Sequence, residues 1–189
     1  VGGEWSGQDT EERGIQITGD VVSEWVKKTH DEFGGPRKTL VFAAGVRHAA
    51  DLAQKFSEAG YNFLSLSYQD DDEFKAQAIA EFSKPDSTIR GLIATDILTK
   101  GFDVPGVMIG VSARPFSKSL ASHVQQMGRV MRSHPGKDFA LWLDHSGNYL
   151  RFQQDWDEIY ANGVTELDET KEKPRTEPTP REKEAAKCP

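Results

Sequence analysis

The segment TLVFAAGVRHAADLAQKFSEAGYNFLSLSY, residues 39–68, decides the fold of this chain. Its first six residues, 39–44, form a short apolar run that is typical of a buried strand. Residues 47–60 follow with a helical period and end on Gly60, which suits the position after a helix. Residues 62–68 favour a second strand. A strand, a helix and another strand in this order predict two parallel strands joined by a crossover helix.

The same alternation continues along the rest of the chain. Further helices are predicted at 70–82, 119–132 and 153–161, and further strands at 89–95, 107–112 and 139–144. Because the strands are continuously apolar, both faces of the sheet must be covered. The sequence therefore predicts an α/β fold, with a mostly parallel sheet between two layers of helices. Ligands of such sheets bind at the carboxyl ends of the strands, here in the loops that begin at Gly45, Asp96, Ala113 and His145.

Both ends of the chain differ in composition from the middle. Residues 1–19 are polar and glycine-rich and are interpreted as a linker. A helix is predicted from Asp20, its N-cap, to Phe33, where two glycines and a proline stop it. Residues 163–189 are charged, punctuated by proline and almost free of apolar side chains, which predicts a disordered linker. One domain is therefore expected over residues 20–162.

Composition narrows the classes of partner. A single cysteine among 189 residues excludes an intramolecular disulfide and favours a reducing, cytoplasmic compartment. No apolar run approaches the roughly 20 residues of a membrane span, so no membrane partner is expected. The net charge is −7, but the acidity lies in the flanks. Residues 36–151 carry 14 basic and 12 acidic side chains, so this middle region can still face a polyanion.

The segment HVQQMGRVMR, residues 123–132, carries the most informative polar pattern. In a helix, Gln125, Arg129 and Arg132 fall on one face, and Gly128 leaves a gap through which a ligand or another backbone can approach. Two guanidinium groups on one face suit a phosphate chain, because each planar fork pairs with two phosphate oxygens. The alternative interpretation is a solvated helix face with ordinary salt bridges.

A second polar pattern follows the strand at 89–95. Thr95 ends that strand, and the loop DILTKGFDVPGV, residues 96–107, comes next. Gly101 permits a tight turn, and Asp103 presents a carboxylate that can accept hydrogen bonds from sugar hydroxyls. Alternatively, the aspartates of this loop cap short helical segments.

These patterns resemble the motifs of superfamily-two (DEAD/DEAH-box-like) helicases. ATDILTKGFDVPGV is similar to motif V, QQMGRVMR to motif VI (Q-x-x-G-R-x-x-R), and TLVFAAGVRHAADLAQKF to motif IV. The three occur in the family's order and cover residues 36–152, the second RecA-like domain of the helicase core. SARPFSKSLASHVQQMGRVMRSHPGK followed by LDHSGNYLRF is most similar to RadD-like and phage-type helicases.

The resemblance implies a role for each matching residue. Arg132 takes the place of the arginine finger that approaches the γ-phosphate of ATP, and Arg129 that of its companion. The positions that line the nucleotide cleft are Gln125, Gly128, Gly101 and Asp103. The positions that contact the nucleic-acid backbone are Thr95, Gly45 and Arg47. For Arg47, a helix-start charge exposed to water is the alternative.

The chain resembles half of an active site. Neither a Walker A loop nor an acidic Mg²⁺-binding motif occurs in it. ATP and Mg²⁺ would therefore be held mainly by an N-terminal RecA-like domain of the same polypeptide, and this chain alone should not hydrolyse ATP. The other expected partner is a nucleic-acid strand, with DNA favoured over RNA.

Alternative functions and sites were also weighed. A non-catalytic RecA-like docking module is the alternative function. A dinucleotide-binding domain is excluded, since no G-x-G-x-x-G follows a strand. The histidines show no metal spacing, so no metal site is predicted, and His123 is expected on the surface of its helix. Cys188 begins a truncated zinc knuckle or is a lone thiol.

Overall fold

The computed structural model describes residues 6–95, 104, 106–116 and 118–163, and for residues 17–19 it describes only the backbone. The elements, in chain order, are α1 Gly7–Phe33, β1 Thr39–Phe42, α2 Val46–Glu58, β2 Phe63–Leu66, α3 Asp72–Ser83, β3 Gly91–Ala94, β4 Ile109–Ser112, α4 Leu120–Val130, β5 Leu141–Asp144, α5 Asn148–Arg151 and α6 Gln153–Asn162. In this part of the chain no helix is both long enough and apolar enough to cross a membrane.

The five strands form one sheet in the order β2-β3-β1-β4-β5. Every pairing is parallel, and Thr39 of the central strand lies between Gly91 of β3 and Ile109 of β4. Parallel neighbours require a crossover between them, which the helices supply. The predicted α/β fold is therefore confirmed.

Two apolar clusters cover the two faces of the sheet. Consecutive strand residues point to opposite faces, and accordingly Val41 belongs to the cluster with Trp25 and Phe56, whereas Leu40 belongs to the cluster with Phe82. In the first cluster the Trp25 Nε1–H donates a hydrogen bond to Thr39 Oγ1 at 2.8 Å. This bond ties α1 to the start of β1 and satisfies a buried polar group.

The predicted start of α1 at Asp20 is wrong. The helix begins thirteen residues earlier, where Ser6 Oγ accepts a hydrogen bond from the Asp9 amide at 3.2 Å. Acidic residues in the first turns favour this start, because they face the positive end of the helix dipole. The predicted end is confirmed, since Gly34 caps the helix with a left-handed φ of 68°. The domain boundary proposed at residue 20 stays a prediction.

Two expectations about α4 are also wrong. The helix ends at Val130 and not at residue 132. His123, expected on the helix surface, is fully buried, and its ring centroid lies 5.7 Å from that of Trp142 and 5.6 Å from that of Trp156. Burial lowers the pKa of His123, so the ring packs as a neutral aromatic group.

Candidate nucleotide and nucleic-acid sites

The residues assigned to strand binding lie at the carboxyl edge of the sheet. Gly45 and Arg47 follow β1, and Thr95 follows the neighbouring strand β3. The two strand ends are joined by a hydrogen bond from the Ala43 amide to the Ala94 carbonyl at 3.0 Å. The structure therefore brings together three residues that the sequence separates by up to 50 positions.

Thr95 and Arg47 differ in how they are presented. Thr95 is 6% exposed, and its Oγ1 has no hydrogen-bond partner among the residues that the structure describes. A buried hydroxyl without a partner costs folding free energy. Arg47 is exposed, in the first turn of α2.

The amino end of α2 is capped by a carboxylate from α1. Gly45 is the N-cap and supplies no side chain, and Glu11 Oε1 accepts hydrogen bonds from the amides of Arg47, at 2.7 Å, and His48, at 3.4 Å. A Cβ added to Gly45 would collide with this carboxylate. Glu11 thus holds the amide donors that a helix start otherwise offers to a phosphate. Sequence analysis missed this contact, which joins residues 36 positions apart.

His48 stiffens the same loop from inside. The ring is fully buried, and Nδ1 accepts a hydrogen bond from the Ala44 amide at 3.2 Å. Burial lowers the pKa of His48 to about 4. A Cβ added to Gly14 of α1 would overlap the imidazole, so glycine is needed where α1 passes over the ring.

The residues assigned to the nucleotide lie on and just beyond α4. Gln125 and Gly128 are exposed, and Arg129 is half-buried within one turn of both. Arg132 is half-buried but lies two residues past the last helical residue. Its predicted helical spacing from Arg129 is therefore wrong, since the chain leaves the helix before reaching it.

A lysine side chain accompanies this early end of α4. Lys137 Nζ donates hydrogen bonds to the carbonyl of Val130 and, at 3.0 Å, to the carbonyl of Arg132. A cation there also complements the negative end of the helix dipole.

The two groups of site residues occupy different parts of the molecule. Because β4 and β5 are parallel, α4 and residues 131–140 carry the chain from the carboxyl edge of the sheet back to its amino edge. The carboxyl-edge rule therefore accounts for the strand-binding group, whereas Arg132 lies on the return path. The predicted contacts Gly101 and Asp103 lie outside the described residues, as does Cys188.

A cavity of about 380 Å³ lies at the amino edge of the sheet, close to the end of α4. Its walls include Val104 and Gly106, which follow Asp103 in the chain, together with His134 and two lysines, Lys38 and Lys137. Sequence analysis did not identify this cavity.

Comparisons with known proteins agree with this architecture. The chain is 28% identical over 167 residues to the 51.5 kDa protein of a Lactococcus phage, covering 85% of this chain and 35% of the phage protein. It is 28% identical over 110 residues to the ATP-dependent RNA helicase DBP3 of Saccharomyces cerevisiae, covering 58% of this chain and 20% of DBP3. The chain thus spans about a third or less of the length of these relatives.

A solved structure shares the fold. Domain 2 of the DEAD-box helicase Mss116p, bound to an RNA duplex, superposes with a TM-score of 0.60 at 20% identity and covers 78% of this chain and 57% of that chain. The family described as helicase conserved C-terminal domain matches residues 22–134, which include β1, β3 with the following Thr95, and both Arg129 and Arg132. The chain therefore belongs to the helicase conserved C-terminal domain family, and it shares its fold with domain 2 of a DEAD-box helicase.

Proposed function

We propose that this chain is the C-terminal motor half of an ATP-dependent nucleic-acid helicase or translocase, and that alone it does not hydrolyse ATP. The observation that carries the proposal is the pair Arg129 and Arg132, half-buried at the end of an α4 helix whose neighbouring face, at Gln125 and Gly128, is exposed. Such a surface can be completed by a second domain.

The side chains of this surface fit the phosphates of ATP but not its metal ion. Guanidinium forks pair with phosphate oxygens, and the exposed amide of Gln125 can donate a further hydrogen bond. Among residues 6–95, 104, 106–116 and 118–163, no group of three carboxylate, histidine or cysteine side chains could hold a metal. We therefore assign Mg²⁺ mainly to the other RecA-like domain.

The carboxyl edge of the sheet would hold the nucleic-acid strand. Thr95 offers an unpartnered hydroxyl to a backbone phosphate, and Arg47 offers an exposed cation beside the α2 amides. The named relatives include an RNA helicase and an RNA-bound domain, so both DNA and RNA are candidate strands.

The mechanism couples these two surfaces. When bound, ATP supplies the phosphoanhydride whose hydrolysis releases free energy. Arg132 and Arg129 donate hydrogen bonds to its phosphate oxygens when the two domains close, and Arg132 stabilises the charge that develops in the transition state. Thr95 and the loop at Gly45 bind the nucleic-acid strand while the domains close and reopen. Each cycle moves the protein along the strand.

The decisive experiment uses a polypeptide that carries this chain together with a first RecA-like domain. Arg132→Ala should lower the nucleic-acid-stimulated ATPase rate by about 10³-fold or more, as expected for an arginine finger. Arg132→Lys should restore little, because the ammonium group lacks the planar fork. Arg37→Ala, which removes an exposed arginine far along the chain from α4, is the matched control.

The outcomes separate the two candidate functions. Wild-type ATPase activity in Arg132→Ala would refute the finger role. A two-domain protein that binds oligonucleotides without hydrolysing ATP would instead indicate a non-catalytic docking module.

A further inference from the structure

We propose that Lys137 is the positioning residue of Arg132: by binding the two carbonyls that flank the end of α4, it fixes where the arginine finger leaves the helix. This inference rests on the proposed function. Lys137 lies outside the helicase motif at 125–132, and the inference gives it a positioning role in catalysis.

Arg132 lies just past the end of α4. The last helical residue is Val130, and Met131 closes the helix with a hydrogen bond from its amide to the Met127 carbonyl at 2.9 Å. Arg132 is the second residue past Val130, and its carbonyl accepts a hydrogen bond from Lys137 Nζ at 3.0 Å.

Lys137 is built into the structure as a bridge. The same ammonium group also donates a hydrogen bond to the Val130 carbonyl, so it links the rigid helix to the first residues outside it. The backbone between them turns tightly: Gly136 has a φ of 77°, and the Lys137 amide donates to the His134 carbonyl at 3.0 Å. This turn directs the lysine side chain back to the end of the helix.

Burial of the Lys137 ammonium group has an electrostatic cost. Burial lowers the pKa of Lys137, so holding the cation there costs free energy that its two carbonyl acceptors and the helix dipole must offset. An exposed lysine would cover the same surface at no such cost. The buried position of the Lys137 ammonium group is therefore favourable only while both carbonyls stay within hydrogen-bonding distance.

Lys38 provides a matched control within the same cavity. Its ammonium group donates to the carbonyls of Ser83, at 2.7 Å, and Lys84, at 2.9 Å, at the end of α3. Burial lowers the pKa of Lys38 as well. Lys38 thus matches Lys137 in cavity, chemistry and helix-end contacts, but neither of its acceptors belongs to an arginine.

The test measures kcat and KM for ATP in the two-domain protein at saturating nucleic acid. Lys137→Met should lower kcat by about 10²-fold, the cost of misplacing a catalytic group by about 1 Å, with little change in KM. Lys137→Arg, which can still donate to both carbonyls, should recover most of the loss. Lys38→Met should keep kcat within about twofold, although it removes an equivalent helix-end contact.

A double-mutant comparison separates positioning from folding. In the Arg132→Ala background, Lys137→Met should cause no further loss of kcat, because the group that it positions is gone. An additional 10²-fold loss there would overturn the proposal, as would equal kcat values for Lys137→Met and Lys38→Met. Should Lys137→Met fail to fold, Lys137→Gln, which can reach at most one carbonyl, takes its place in the same comparison. An active Arg132→Ala protein would instead refute the proposed function itself.

Discussion

Gly128 sits on the exposed face of α4, between Gln125 and Arg129, and its position has opposite consequences for stability and for activity. Apart from the neighbouring residues and backbone of α4 itself, no atom of the part of the chain that the structure describes lies within 4 Å of a Cβ built at this position. Glycine inside a helix costs stability relative to alanine, because it loses more backbone entropy on folding. We propose that glycine is present here because the second domain of the proposed motor approaches this face of α4 closely.

Gly128→Ala should consequently stabilise the isolated chain and impair the two-domain protein. We expect the free energy of unfolding to rise by about 0.5–1 kcal/mol, measured by urea denaturation. The ATPase rate should fall, because the added methyl group meets the opposing domain. Unchanged ATPase activity in a stabilised variant would show that nothing approaches this face of α4.

At the scale of elements, the packing of α1 on α2 controls what the amino end of α2 can bind. Glu11 reaches the amides of Arg47 and His48 because α1 begins at Gly7; a helix that began at Asp20, as predicted, would not contain Glu11. The carboxylate neutralises the helix start and repels phosphate. The strand binding that we propose at Gly45 and Arg47 would therefore compete with this internal contact.

Glu11→Gln should strengthen binding of single-stranded oligonucleotides to the chain by about three- to tenfold, in line with the worth of one charge at a helix terminus. Fluorescence anisotropy at one fixed salt concentration measures the effect, with DNA and RNA of the same sequence. Glu12→Gln is the matched control, because this neighbour is exposed and bonds only to Gln8 among the contacts of its side chain that the structure describes. Equal affinities of the two variants would contradict a shielding role for Glu11.

For the whole molecule, the buried His48 links folding to pH. The folded protein keeps the imidazole neutral, with a pKa of about 4 against 6.5 for the ordinary group. Asp51 and Glu11 favour its protonation, but desolvation outweighs them. Protonation of Nδ1 would also place two N–H donors face to face, since Ala44 donates to this nitrogen.

The sign of the pH dependence follows directly. As the pH falls from about 6.5 to about 4, the unfolded chain takes up a proton at His48 before the folded chain does, so the free energy of unfolding decreases by up to about 3 kcal/mol. His48→Asn keeps an acceptor for the Ala44 amide but does not titrate. Its unfolding free energy, from urea denaturation at pH 7 and pH 4.5, should change less with pH than that of the wild type; parallel curves would contradict this assignment.

The sequence by itself determined the layered parallel sheet, the place of the arginines in the chain and several element boundaries. A strand that is apolar at every position, such as residues 39–44, must bury both of its faces. A parallel sheet covered by helices on both sides provides this burial. Gly34 marks the end of α1 through local chemistry alone. These features depend on neighbours within a few residues, which periodicity and capping rules describe.

Only the tertiary structure decided the contacts made between distant segments. The cap that Glu11 places on α2, the burial of His123 among aromatic rings, and the bridge from Lys137 to Arg132 each depend on where one element ends relative to another. The periodicity of a sequence predicts the face of a helix on which a residue lies. It does not predict the residue at which the helix ends, because that depends on hydrogen bonds from distant side chains. For that reason the sequence located both arginines, whereas the structure revealed that one of them lies outside the helix and is held by a lysine.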